Sequence, residues 1–357
     1  MAPHDCVEGE GTVKPREDAV RASRFRTFRH NADLGLWLFI VALVLFFATT
    51  THGFFTSSNA LNVLRQMSVL AIAAFGSSFV IFSGGLDLSI GSNAALSGVL
   101  AAMAARAMSF PASTEVSWLL GVLIGALFGL VNGQIIIRLR INPIITTLGT
   151  LTIGRGLALL LTGGVSLFGV PVSFQGLGRG FLIPGLLPFP VIIMAALLAI
   201  AWIALRRTAF GLYVYAIGGN EEAARLSGIP VNRVKVSVYV IGGAMAGFAG
   251  VILASRLGSG QAASSEGLEL DVITAIVLGG ASLAGGQGTI AGTLAGVLII
   301  SLLANGMNIL NVPPFYQRIV TGLALLIAVA IDQFRKSGQA RKASERRSLI
   351  GQTKGSA

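Results

Sequence analysis

The sequence is poor in charge. Asp, Glu, Lys and Arg make up 11% of its 357 residues, under half the roughly 25% of an ordinary soluble domain. So few charges cannot cover a water-facing surface on a 36.9 kDa chain, which excludes a soluble enzyme. Cysteine is nearly absent: Cys6 stands alone, so neither an intrachain disulfide nor a thiolate metal cluster can form. The three histidines, His4, His30 and His52, lack metal-ligand spacing, and no metal site is expected. The sequence has no Gly-xxxx-Gly-Lys-Ser/Thr run, so the chain is not expected to hold ATP in a phosphate loop. GSGQAA from Gly258 resembles a dinucleotide fingerprint only superficially, because no strand is expected before it. The first 33 residues contain no apolar stretch and are not a secretory signal.

What is present is apolar. Hydrophobic residues reach 54% and the mean hydropathy is +0.78. The 46 glycines show no collagen period and suit close-packed membrane helices, where small residues let backbones approach. A helix crossing the roughly 30 Å hydrocarbon core needs about 20 apolar residues. That length predicts spans at 34–50, 62–83, 91–108, 117–137, 143–162, 190–205, 236–254, 270–284, 289–309 and 317–333. The eighth is short and begins with Asp271 inside it, as a re-entrant or broken segment would. The expected fold is an all-α polytopic membrane protein of about ten transmembrane helices.

The charges orient it. Six Lys/Arg lie in residues 1–33, seven in 335–357, two at Arg138 and Arg140, and five at Arg206, Arg207, Arg225, Arg233 and Lys235. Ten spans put these 20 of 26 basic residues on one face, and the positive-inside rule makes that face and both termini cytoplasmic. The net charge of +11 is thus a membrane-topology signal, and no nucleic-acid partner is expected. Residues 1–33 read as a disordered cytoplasmic tail, 34–334 as the transmembrane domain, and 335–357 as a basic cytoplasmic tail.

Gly-xxx-Gly steps occur at Gly121, Gly125 and Gly129, at Gly243 and Gly247, and at Gly292 and Gly296. They predict close helix packing, inside the chain or at a dimer face. GGLDLSIGS from Gly84 aligns without gaps on GGASLAGGQ from Gly279, matching at Gly84/Gly279, Gly85/Gly280, Leu88/Leu283 and Gly91/Gly286. Both segments fall at expected cytoplasmic turns, and this is the mark of an internal repeat.

Polar residues at membrane depth are few. Asp87, Ser89, Asn93, Thr147 and Arg155 are candidates for the translocation path or its gate. A carboxylate or guanidinium there must face protein or water. Asp87 or Ser89 also suits the cap of span three, and Arg155 suits a structural pairing; Arg65, near a span edge with Gln66, can snorkel. The loop from Arg206 to Lys235 is better specified. In GGNEEAARLSGIP, Asn220 is a good N-cap, Glu221 and Glu222 favour the first turn of a helix, Gly228 suits a left-handed C-terminal turn and Pro230 blocks extension. A helix of about two turns is expected there, too short to be stable in water without something to dock against.

GGLDLSIGS at 84–92, NPIITTLGTLTIGRGLALLLTGG at 142–164 and GGNEEAARLSGI at 218–229 resemble the permease subunits of bacterial ABC sugar importers, in the subgroup serving ribose, xylose, arabinose and galactose. The resemblance covers about residues 34–335. It implies a homodimer with the pathway along its interface. It makes Gly219, Asn220, Glu221, Glu222, Ala223, Ala224, Arg225, Leu226, Ser227 and Gly228 the loop that docks on a cytoplasmic ABC ATPase. ATP and Mg would be used by that partner; this chain, itself not an enzyme, would carry no cofactor. A periplasmic sugar-binding protein would deliver a monosaccharide or polyol to outer loops 164–189 and 255–270, where Arg256, Glu266 and Glu269 are candidate contacts. Two other classes remain: an ion-coupled secondary sugar transporter, which calls for a mid-membrane carboxylate, and a non-transporting membrane scaffold, which leaves the capped loop helix unexplained.

Overall fold

The computed structural model describes residues 35–51, 53–108, 112–330 and 333. The expected tails, Cys6 and the three histidines lie outside these residues. Every predicted span falls on a helix: α1 (Gly35–Thr50), α2 (Ser57–Phe82), α3 (Ile90–Ala107), α4 (Ser113–Arg138), α5 (Pro143–Thr162), α7 (Phe189–Arg207), α10 (Val231–Leu257), α11 (Leu268–Leu278), α12 (Ile290–Ile309) and α13 (Pro314–Ala330). Six of them, α2, α4, α5, α7, α10 and α12, are long and apolar enough to cross a membrane. The four-residue α6 (Gly176–Arg179) and a small hairpin of β1 (Phe181–Ile183) and β2 (Leu187–Pro188) lie between α5 and α7. Two further helices, α8 (Ala209–Gly219) and α9 (Glu221–Leu226), occupy the loop between α7 and α10.

Local chemistry sets the boundaries. Asn142 accepts from the Ile144 N–H ahead of Pro143, which opens α5, and Gly163 closes it at φ +62°; proline first and glycine last is the favoured order. Thr56 and Thr289 cap α2 and α12 in the same way as Asn142.

Helices α2 and α10 form the centre. The apolar stretch of α2 is 83% buried, against 22% in α7. The outward faces of α5 and α7 show Ile145, Ile153, Leu160, Ile200 and Trp202, a surface suited to lipid or another subunit and not to water. The Gly-xxx-Gly steps are all used within the chain. Gly125 and Gly129 of α4 press backbone to backbone on Gly247 and Gly243 of α10, and Gly292 and Gly296 of α12 press on Gly279 and Ala275.

The repeat is real in geometry but displaced from its gap-free alignment. At the end of α2, Gly84 (φ +79°) donates to Ile81 and Gly85 to Val80; at the end of α11, Gly280 (φ +86°) donates to Val277 and Ala281 to Ile276. These are the same paired carbonyl bonds around a left-handed residue, so Gly84 corresponds to Gly280, not Gly279. The turn that follows covers 83–89 in the first case and 279–289 in the second, and an ungapped match cannot carry through that difference.

The eighth predicted span is a half-helix. α11 has 11 residues, about 17 Å at 1.5 Å per residue, well short of the roughly 30 Å core. It is reached by a dipping segment: Gly260 packs on Val99 and Ala102 of α3, while the Ser265 carbonyl and the Glu269 carboxylate pack on Gly91, at the opposite end of that helix. Eight residues of α3 separate those contacts, about 12 Å of descent. Glu269 therefore lies inside the chain and not on an outer rim, which corrects its assignment as a docking charge. Its Oε2 is buried without a hydrogen-bond partner.

Candidate functional site

The loop helix is built as its sequence requires. The Asn220 side chain accepts from the Ala223 N–H at 3.0 Å, while its own N–H donates to Ala216 and closes α8. At the other end Gly228 takes φ +81°, its N–H donates to Arg225 and that of Ile229 to Ala224, and Pro230 follows. Glu221 is clasped from two sides, by Arg225 at 3.1 Å and by Lys235 of α10. Burial pushes its carboxyl up, but hydrogen bonds and charge from Lys235 and Arg225 overcome this and hold it below the usual glutamate value. Ala224 turns inward and is buried; Glu222, Ala223, Arg225, Leu226, Ser227 and Gly228 are exposed, Leu226 by 83%. An exposed leucine on a capped six-residue helix forms a knob that still lacks a cover.

That knob stands on α8, which the sequence did not announce. Its 11 apolar residues are too few to span, and they were absorbed into a loop; the Thr208 cap on the Gly211 N–H is the signal that marks its start. Phe210 and Tyr215 of α8 face Phe79 and Phe82 of α2, the second pair stacked at 5.5 Å, and the Tyr215 hydroxyl donates to the Gly288 carbonyl at 3.1 Å. Gly218 lies against the Phe82 carbonyl and the Gly286 N–H, which bond to each other at 2.9 Å. The base of the loop helix thus rests on both repeat turns, 83–89 and 279–289.

The first of those turns holds Asp87. One carboxylate oxygen accepts from the Ser89 N–H at 2.8 Å and the Ser89 hydroxyl at 2.5 Å, an Asx turn. Neither side chain caps the first amides of α3. Asn132 of α4, absent from the sequence candidates, donates to the Ser89 hydroxyl at 2.9 Å, and Tyr239 donates to the Leu86 carbonyl at 3.2 Å. Asn93 donates to the Gly125 and Gly243 carbonyls and so ties α3 to the α4–α10 seam. Asp87, Ser89, Asn93 and Asn132 are all buried.

Thr147 and Arg155 stand apart from that group, on α5. The Thr147 hydroxyl bonds back to the Pro143 carbonyl at 2.8 Å. Arg155 donates to the Ala262 carbonyl on the dipping segment and lies within electrostatic reach of Glu269.

The outer loops interlock. Leu167 and Gly260 exchange backbone hydrogen bonds at 2.8 and 3.0 Å. Ser255 accepts from the Gly178 N–H and donates to the Phe174 carbonyl, and Arg179 donates to the Arg256 carbonyl at 2.7 Å. Glu266, exposed, pairs with Arg318 at 3.6 Å.

Comparison with known proteins agrees with this architecture. Residues 59–329 match the family model described as branched-chain amino acid transport system, permease component. The chain is 45% identical to the ribose import permease protein RbsC of Bacillus subtilis over 302 residues, covering 84% of this chain and 92% of the relative. It is 41% identical to the Escherichia coli K12 protein of that name, covering 82% and 91%. It is also 41% identical to the L-arabinose ABC transporter permease protein AraH of Azospirillum brasilense, covering 85% and 91%. No solved structure matches. The chain belongs to this ABC permease family, alongside the ribose and arabinose permeases, and is a multi-pass inner-membrane protein.

Proposed function

We propose that the chain is the permease subunit of a bacterial ABC importer for a monosaccharide or related polyol. It spans the membrane about ten times, as the lengths of its apolar runs suggest, with both termini cytoplasmic, and pairs with a second copy to form the pathway. A periplasmic binding protein delivers the sugar to the interlocked outer loops. A separate ATPase subunit, which alone uses ATP and Mg, docks on α9.

The observation that carries this reading is the capped α9, with Leu226 bare at its tip and its base set on both repeat turns. Force applied at Leu226 passes through α8 to the Phe82–Gly286 contact, and from there to the Asp87 turn and to α11. The names of the ribose and arabinose relatives supply the substrate class. An ion-coupled carrier could draw on the buried Glu269, but would leave α9 without a task.

Gentle detergent extraction of the chain from its native membrane tests the proposal. An ATPase chain should co-purify with the wild type and be lost from Leu226→Asp, with membrane insertion unchanged. Purification alone, in both forms, removes the docking role.

A further inference from the structure

A cavity of about 340 Å³ lies between α2, α10, α11 and α12. It is near the outer end of α10, directly beneath the segment that links the outer loops. Four polar side chains line it: Gln66 of α2, Arg256 of α10, Asp271 of α11 and Ser301 of α12. No hydrogen bond ties any of these four side chains to the protein. Ser301 is 2% exposed, and its hydroxyl is buried without a partner. Aliphatic side chains such as Val69 and Leu253 complete the walls.

An unpaired polar group in such a place costs about 1–3 kcal/mol, so native interiors leave few of them. Four around one cavity, one from each of four helices, make a set waiting for a polar occupant. The set is complementary in kind. Arginine only donates, the carboxylate only accepts, and glutamine and serine do both. Its formal charges cancel, which disfavours a bare cation or anion. A neutral molecule crowded with hydroxyls, each able to donate and accept, fits that description. The volume lies at the small end of the roughly 300–1,000 Å³ of small-molecule sites, which suits one sugar ring and not an oligosaccharide.

We infer that this cavity is an outer waiting site, internal to one subunit, that binds a single neutral monosaccharide through Gln66, Arg256, Asp271 and Ser301. The inference rests on the sugar-importer reading above and adds a place where the sugar is held.

The test is site-directed protection. Ser301→Cys and, separately, Gln66→Cys are made in a Cys6→Ser chain and assembled with the co-purifying subunits in membrane vesicles. Each is reacted with a water-soluble maleimide, with and without D-ribose, L-arabinose, D-xylose or D-galactose. Uptake of the same sugars by the Cys6→Ser parent is measured in parallel. Both cysteines should react, and one sugar should slow them by the factor 1 + [sugar]/Kd, about tenfold at ten times Kd. Uptake without protection overturns the waiting site and leaves the importer reading intact. Protection without uptake supports the site and overturns the importer reading. Absence of both overturns both. Failure of both cysteines to react shows a cavity closed to solutes and also overturns the site.

Discussion

Gly218 and Gly219 are neighbours at the end of α8, and the structure assigns them opposite fates on substitution by alanine. A methyl group at Gly218 would press on the Phe82 carbonyl oxygen and on the Gly286 nitrogen, whereas one at Gly219 would meet nothing within 4 Å. The atoms at Gly218 are backbone on both sides, so no side chain can swing away. The Gly286 N–H to Phe82 bond at 2.9 Å must open or α8 must lift. Overpacking costs about 1–3 kcal/mol and a buried bond left unmade about 1–3 more, so Gly218→Ala should lose on the order of 2–4 kcal/mol once some relaxation is allowed. Gly219→Ala should stay within about 0.5 kcal/mol of the parent. Thermal melting of both proteins in the same detergent separates them: the first should melt several degrees lower, the second with the parent. Equal melting points would refute the close contact between α8 and the two repeat turns.

Three further outcomes follow from the same contacts. Asn93→Leu strands the Gly125 and Gly243 carbonyls and should lower stability by about 2–4 kcal/mol, measured by the same melting assay. Glu221 is held below its usual value, so its clasp on Arg225 and Lys235 is complete above the unfolded value of about 4.3 and fades only as pH falls through the lower folded value. Partner binding to α9 should therefore be flat from pH 8 to about 5 and weaken below, and Glu221→Gln should remove that acid limb. Gly228→Val forces a β-branched residue to φ +81°, at a cost of about 1–2 kcal/mol; partner affinity should fall while helix content by circular dichroism stays within error.

Much of the fold can be read along the chain because a membrane helix is specified by length and hydropathy, both local. The α9 caps are local as well: Asn220, Gly228 and Pro230 each act on neighbours within a few residues. What could not be read is what depends on distant partners. α8 is too short for a span and amphipathic only with respect to α2, so its face becomes visible only beside Phe79 and Phe82. Asn132 is one polar residue in an apolar run, and nothing near it in sequence reveals the Ser89 hydroxyl. Glu269 looked like a rim charge because the descent of the segment before α11 is fixed by Gly260 and Gly91, not by its own composition. Gln66, Asp271 and Ser301 lie far apart along the chain and converge only through the packing of α2, α11 and α12.

The central claim, that α9 receives the work of an ATPase and passes it to the sugar path, is tested most directly by uptake in sealed proteoliposomes. These would carry the co-purified subunits, with the sugar-loaded binding protein outside and ATP with Mg inside. Labelled sugar should accumulate only with ATP, continue when ionophores collapse every ion gradient, and stop in Leu226→Asp. Accumulation driven by an ion gradient without ATP, and unaffected by Leu226→Asp, would contradict it.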